Sequence, residues 1–447
     1  APAVLIGAFV PGSGDPANGM VLANDASAPS GFIEQEPIQV APRVGLALDV
    51  FGNGRTAIRA GFGISKQSML SDDILNQVTQ LPPRSFSPTI FYNNMESFLG
   101  AQGVLFPSSV FAHDPNPVTP SVYNYSFGIQ QAIGSNIALD ISYVGNVGRH
   151  LVQRRNLNVV PYGARFQPEN ADPTNPNIAL PENFFRPYPG YTNLTYQEYS
   201  GTSNYNGLHV NATRQFSRGL QFGVAYTWSK SMGLTNSDQQ LLPTYQDYRA
   251  WTYGKLAFDQ THKLVANYLW ELPMLSKLLP NPVVRALFDN WQFNGIATFS
   301  SGTPAGIGFS TTDNADITGG GDGARVVMLE NPILERGERS FNRWFNTDAF
   351  GRPARGTFGN APKDVYRLPG INNWDLIFLK KIPLGRDERR SLQFRWEMYN
   401  AFNHSQFFGV DDDARFDPAG NQVNARFGQV ISTRLPRTMQ LALHFYF

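Results

Sequence analysis

Thr438-Met439-Gln440-Leu441-Ala442-Leu443-His444-Phe445-Tyr446-Phe447 is the stretch that decides how this chain is read. Met439, Leu441, Leu443, Phe445 and Phe447 fall on one side of an extended strand, and Gln440, Ala442, His444 and Tyr446 on the other. A strand over a soluble core would set charged residues against its apolar row. Here the opposing row is small and polar, and the apolar row ends in large aromatics. About ten residues with lipid on one side, a wet interior on the other and aromatics at the interface describe a transmembrane barrel strand.

Composition agrees with one large β structure. The 447 residues include 41 Gly, 32 Pro, 33 Phe and 18 Tyr, with few helix-forming stretches. A formal net charge of +1, from 36 Lys+Arg against 35 Asp+Glu, leaves no basic stripe for nucleic acid. The absence of cysteine excludes a disulfide framework, a thiol nucleophile and a cysteine metal site. Mean hydropathy is -0.28 and no run of eighteen apolar residues occurs, which excludes a transmembrane helix but not a barrel, where half of each strand is polar. Ala1-Pro2-Ala3-Val4-Leu5-Ile6-Gly7 carries neither the basic stretch nor the cleavage site of a signal peptide, so a processed or truncated chain is expected.

Alternation recurs along the chain. Residues 1–40, rich in Gly, Pro, Asn and Ser, read as an extracellular loop, and 41–447 as barrel. Val44, Leu46, Leu48 and Val50 lead through Phe51-Gly52-Asn53-Gly54 into Ile58, Ala60, Phe62 and Ile64, a hairpin with a tight Asn-Gly turn. Tyr123 to Ile129 and Ile137 to Tyr143 make a second pair about Gly134-Ser135-Asn136. Leu208 to Ala212 and Leu220 to Trp228 make a third about Phe216-Ser217-Arg218-Gly219. Leu264 to Trp270 with Trp291 to Phe299, then Trp374 to Phe378 with Leu392 to Met398, give the fourth and fifth. The terminal strand makes eleven.

Short connections alternate with long ones, expected at 66–120, 148–204, 230–260, 301–371 and 403–436. Outer-membrane barrels sort their connections in this way, short turns in the periplasm and long loops outside. The fold class expected is therefore all-β, a transmembrane antiparallel up-and-down β-barrel in the bacterial outer membrane. Single-chain bacterial barrels have even strand numbers, so eleven strands predict about as many again upstream or on another chain. A soluble sandwich or propeller would carry more Lys and Glu on its solvent face.

At this point the residues resemble a family. Phe51-Gly52-Asn53-Gly54-Arg55-Thr56-Ala57-Ile58-Arg59-Ala60-Gly61-Phe62-Gly63, Tyr143-Val144-Gly145 with Gly148-Arg149-His150-Leu151, Tyr226-Thr227-Trp228-Ser229-Lys230-Ser231, Trp344-Phe345-Asn346-Thr347 and Glu397-Met398-Tyr399-Asn400-Ala401-Phe402-Asn403-His404 are similar to the barrel half of TonB-dependent outer-membrane receptors, the Oar-like group in particular. That group carries an N-terminal carboxypeptidase-regulatory-like domain. The resemblance implies a plugged 22-stranded barrel of which this chain supplies the C-terminal half. It also implies an inner-membrane TonB complex as partner, and the barrel-assembly machinery as reader of Phe447, the C-terminal barrel signal. The regulatory-like domain, the TonB box, the plug and the first barrel half are absent from residues 1–447.

No His-Glu-x-x-His pair, Gly-x-Ser-x-Gly elbow or phosphate loop is present, so no enzyme and no cofactor are expected. Asp411-Asp412-Asp413 with Asp417, and Asp313, Asp316 and Asp322 around Gly319-Gly320-Gly321, are acidic clusters, Asp411, Asp413 and Asp417 being weak calcium candidates whose spacing matches no EF-hand; solvated loops suit them better. Arg59, Asp140, His209, Asn211, Gln292, Asn294, Gln393, Arg395, Glu397 and Gln440 are predicted to line the lumen, against a plug or a passing solute. Tyr143, Tyr226, Trp228, Trp270, Trp291, Trp374, Trp396 and Phe445 are predicted to form the membrane girdle, touching outer-membrane lipid. The function expected is uptake of a bulky polar ligand such as a glycan, peptide or chelate. A passive porin or structural barrel, and a soluble β-rich adhesin or binding module, are the alternatives.

Overall fold

Strict alternation forces extended backbone, and paired alternating strands force a sheet with two unlike faces. The computed structural model, which describes residues 26, 34, 38–67, 90, 94–100, 107–134, 136–238, 240–244, 247–321, 323–384 and 390–447, shows such a sheet. Its main path runs in chain order through eleven strands, each hydrogen-bonded to the next. They are β1 (Arg43–Asp49), β2 (Thr56–Lys66), β3 (Ser121–Ile133), β4 (Ile137–Asn156), β5 (Tyr191–Ser217), β6 (Leu220–Gly233), β7 (His262–Glu271), β8 (Trp291–Ser300), β9 (Ile371–Pro383), β10 (Ser391–Tyr399) and β11 (Thr438–Tyr446). Every neighbouring pair on this path is antiparallel. Among the described residues, the outer edges of β1 and β11 pair with no strand.

Register carries each face through the central part of the sheet, the β5 pairings shifting only towards the strand ends, between Gly148 and Gln153 and between Arg214 and Ser217. Leu46 lies opposite Ala60, Ala60 opposite Phe127 and Phe127 opposite Tyr143. Tyr143 lies opposite Leu208 and Leu208 opposite Trp228. At the other end Phe293 faces Phe378, Phe378 faces Trp396 and Trp396 faces Leu441. A slip of one residue anywhere would have exchanged the two rows.

Burial is inverted with respect to a water-soluble protein. Val44 is 69 % exposed, Phe127 52 % and Leu441 67 %, although all three belong to one continuous apolar face. The principal hydrophobic core lies in the long connections: Val326, Phe345, Ala349, Ala414 and Phe416 are at most 1 % exposed. A sheet that leaves its apolar face open while its loops pack a core is solvated by hydrocarbon on that face. Among the described residues no helix is long and apolar enough to cross a membrane, so the strands do the crossing.

The expected boundaries shift in two places. β4 runs on to Asn156 and β5 begins at Tyr191, so both ends of the connection expected at 148–204 are strand and it reduces to 157–190. The cause is local pairing: Ser108–His113 runs parallel to the upper part of β5, and Leu241–Leu242 parallel to Arg154–Arg155 of β4. The second difference lies between β7 and β8, where the connection folds into a short α-helix, Pro282–Phe288, capped by the Asn281 side chain accepting from Val283 N at 2.8 Å. Most of the expected loop 1–40, much of 66–120, Asp322 and the turn residues 385–389 lie outside the described residues.

Candidate functional site

The sheet offers two surfaces, and cross-strand register assigns every singled-out strand residue to one of them. Arg59, Asp140, His209, Asn211, Gln292, Asn294, Gln393, Arg395, Glu397 and Gln440 all share the polar face. Asp140 lies opposite Asn211 there, and Glu397 opposite Gln440. Local bonds occupy several of them. Arg395 Nε sits 3.0 Å from Glu397 Oε1, Tyr399 donates to Glu397 Oε2 at 3.0 Å, and Tyr446 donates to Gln393 Oε1 at 3.2 Å. His209 Nε2 lies 2.9 Å from the Tyr205 hydroxyl. Asn294 Oδ1 is buried with no partner among the described residues.

Tyr143, Tyr226, Trp228, Trp270, Trp291, Trp374, Trp396 and Phe445 all share the apolar face. Trp270, Trp291 and Phe445 lie within two residues of the short-turn ends of β7, β8 and β11. Tyr226 and Trp228 face Leu264 and His262 at the long-loop end of β7, and Trp374 is the fourth residue of β9. Tyr143 and Trp396 lie further inside their strands. Two polar tips find partners on this face: Tyr143 donates to Asn206 Oδ1 at 2.6 Å and the Trp374 indole to Asn372 Oδ1 at 3.2 Å. Phe447 stacks on Phe445 with ring centroids 5.8 Å apart.

Sequence periodicity said nothing of how the long connections fold, because loops have no period. Residues 301–370 and 400–437 build one body. Gly308–Thr311 pairs in parallel with Asp413–Phe416, and Phe407–Val410 pairs with Val430–Thr433. Phe345 packs against Phe350, Tyr366 and Phe427 in its centre. The body is bolted to the top of the sheet. Arg367 Nη2 lies 2.6 Å from Asp259 Oδ2, Lys255 Nζ lies 3.0 Å from Asp364 Oδ2, and Arg325 covers the Trp251 ring at 4.4 Å.

Where connection 157–190 meets this body there is an open cleft of about 1120 Å³, lined among others by Arg165, Phe166, Glu182, Asp313, Asp316, Arg352 and Arg355. Arg165 bridges two carboxylates, Nε to Asp316 Oδ2 and Nη1 to Glu182 Oε1, both at 2.6 Å. Arg352 Nη2 lies 2.9 Å from Asp313 Oδ2, and this bond holds the Asp313 carboxyl below the usual carboxylate range. Exposed Arg355 places its guanidinium 4.2 Å from the Phe166 ring centre. The cleft wall thus alternates guanidinium and carboxylate groups that hold one another, beside the Phe166 ring.

The calcium candidates do not converge. Asp411 Oδ1 accepts from Asn424 Nδ2 at 2.9 Å, while the Asp417 carboxylate accepts from Asn421 N and Nδ2 at 2.8 and 2.9 Å. Asp411 and Asp417 are thus spent on neighbouring loop groups, Asp313 and Asp316 on Arg352 and Arg165, and among the described residues no three metal-ligating side chains gather. Asp412, in the middle of that run, is half-buried. It accepts from Tyr366 at 3.0 Å, and burial raises its pKa.

The family comparison agrees with this geometry. Residues 5–440 match the family described as outer membrane beta barrel domain. Among solved structures, the outer membrane transporter YddB from Escherichia coli shares 12 % identity at a TM-score of 0.48, over 92 % of this chain and 41 % of that one. The FrpB iron transporter from Neisseria meningitidis shares 11 % at 0.42, over 91 % and 39 %. The chain thus spans about two fifths of the length of these structures. A search of curated proteins finds no match. A continuous apolar face, an up-and-down path of antiparallel strands and the match over nearly the whole sequence have one meaning: the chain belongs to the outer membrane β-barrel domain family.

Proposed function

We propose that this chain is the C-terminal part of the barrel of a TonB-dependent receptor, of the Oar-like kind, that takes up a bulky polar ligand such as a glycan, peptide or chelate. The single observation that carries the reading is the cleft of about 1120 Å³ held above the sheet by folded outer connections. A passive pore has no use for a docked loop body with its own core. Lipid satisfies no edge N–H or C=O, so the unpaired edges of β1 and β11 require further strands to close the wall. The polar face then looks inward, where Asn294 Oδ1 and the charged row of β10 meet a plug. The apolar face looks to lipid. Capture at the cleft, followed by plug movement driven from the inner membrane, needs no covalent chemistry from these residues.

Planar-bilayer recording on the intact gene product tests this. A plugged receptor holds the membrane closed until denaturant displaces the plug, and the conductance then appears. Steady conductance from the moment of insertion would establish a passive pore and overturn the proposal.

A further inference from the structure

Short-turn-side connections of this sheet are brief, as in Val50–Arg55 and Arg218–Gly219, whereas that between β7 and β8 is long. Between β7 and β8, residues 272–290 form a 3-10 turn, Leu275–Lys277, and a helix, Pro282–Phe288. This connection is apolar and open: Leu278 is 78 % exposed, Val283 62 % and Leu287 57 %, with Leu279 and Phe288 also exposed. Val283 and Leu287 stand one helical turn apart and so share a face. On the end of a barrel facing plain water such a surface would be an aggregation liability.

The segment is held in place. Asp289, buried, accepts from Ser276 N at 3.0 Å and from the Ser276 hydroxyl, closing the turn onto the end of the helix. Two further bonds tie the helix to the sheet, and both come from the apolar face. The Trp291 indole donates to Leu287 O at 2.8 Å, and Lys380 donates to Asp289 O while its ammonium lies 5.6 Å from the Trp291 ring centre. Trp291 and Lys380 are register partners in that face. The exposed apolar set is thereby continuous with the lipid-facing row at its lower rim. Exposed Lys277 and Arg285 border it with no ion pair among the described residues.

We propose that residues 272–290 form an interfacial anchor: Leu278, Leu279, Val283, Leu287 and Phe288 enter the boundary between headgroups and acyl chains of the periplasmic leaflet, and Lys277 and Arg285 contact lipid phosphate. Apolar side chains beside basic ones on a short helix are the composition that lies in a bilayer surface. An interfacial tryptophan at its base matches the depth. The anchor fixes the rotation and tilt of the β7–β8 hairpin against lipid on the side away from the ligand cleft. It requires only the lipid-facing row and does not depend on the uptake reading.

The chain has no cysteine, so single labels are clean. Leu278→Cys and Leu287→Cys, and Asn53→Cys in the β1–β2 turn as control, are introduced into the intact protein. Each carries a polarity-sensitive fluorophore in vesicles of phosphatidylethanolamine and phosphatidylglycerol, with lipids spin-labelled near the top of the acyl chain as quencher. Blue-shifted emission and strong lipid quenching are expected at 278 and 287, with neither at 53. Emission at 278 and 287 as red as at 53, quenched by aqueous iodide and not by labelled lipid, would overturn the anchor and assign the surface to a protein. Leu279→Ser/Val283→Ser, which keeps Trp291 and Asp289, is expected to reduce lipid quenching of a label at 287. Unchanged quenching in that variant would also overturn it.

Discussion

Arg367 reaches from the loop body to Asp259, whose side chain is 1 % exposed, and places Nη2 2.6 Å from its Oδ2. Asp259 uses its other oxygen to accept from Ser231 N at 2.6 Å at the top of β6, while Arg367 also donates to Gly302 O and Thr261 Oγ1, each at 2.7 Å. This ion pair, together with Lys255–Asp364, joins the loop core to the sheet. Removing one partner of a buried pair leaves a charge without compensation, at a cost of about 3 kcal/mol. Asp259→Ala is expected to let residues 301–370 open roughly a hundredfold more often. Limited proteolysis would show rapid cutting there with the barrel intact, and unchanged cutting would remove Arg367–Asp259 as the fastening.

Phe394 and its neighbour Gln393 occupy opposite faces near the middle of β10, Phe394 between Lys380 and Leu443 and Gln393 between Lys381 and His444. An arginine on the lipid face costs from about 0–1 kcal/mol near the interface to about 2–4 kcal/mol at the bilayer middle, and Phe394, opposite Lys380 towards the lower rim, falls in the lower part of that range. Lys380 beside it adds repulsion. Phe394→Arg is expected to lower folding stability by that amount in lipid vesicles, measured by urea titration, and Gln393→Arg to change it little. Equal effects would refute the assignment of the faces.

Asp412 and Asp313 respond to pH with opposite sign. Burial raises the Asp412 pKa, so its contribution to loop stability is complete below the unfolded value and is lost as pH rises through the folded one. Asp412→Asn keeps an acceptor for Tyr366 and is expected to strengthen the loop body at neutral pH, the gain fading on acidification. The bond from Arg352 lowers the Asp313 pKa, so its contribution is present above the unfolded value and lost as pH falls through the folded one. Asp313→Asn is expected to weaken the cleft wall at neutral pH and to match the parent in acid. Hydrogen exchange of 308–317 and 407–416 between neutral pH and about pH 4 reads both.

Gly359 holds φ at +72°, and a Cβ there would strike Arg325 O and Val326 O of the facing backbone. Gly359→Ala is expected to cost more than about 1 kcal/mol, through left-handed strain and the displaced strand. Faster hydrogen exchange at Val326 and Ala361, which the loop core buries, is the expected sign. Exchange at parental rates would show that the backbone there shifts without cost.

Alternation made the eleven strands and their faces legible. Each strand sees two different solvents, so every second side chain records which one it meets. Trp228 on β6 and Leu441 on β11, five strands apart but on one face, needed no coordinates to be placed together. Strand extent was less legible. The upper parts of β4 and β5 carry Gln153, Arg155 and Glu198, bonded to one another, where the period fades because no hydrocarbon touches them.

The sequence by itself determined that this is a membrane-crossing sheet of eleven strands with a polar and an apolar face, because a period of two is a local property fixed by backbone geometry. Only the tertiary structure decided that 301–370 and 400–437 share a core, that Arg165 meets Asp316 across 151 positions of sequence, and that Leu287 is tied to Trp291 at the sheet's lower rim. Those contacts rest on loop closure and on charges meeting at a distance, and neither leaves a repeat along the chain.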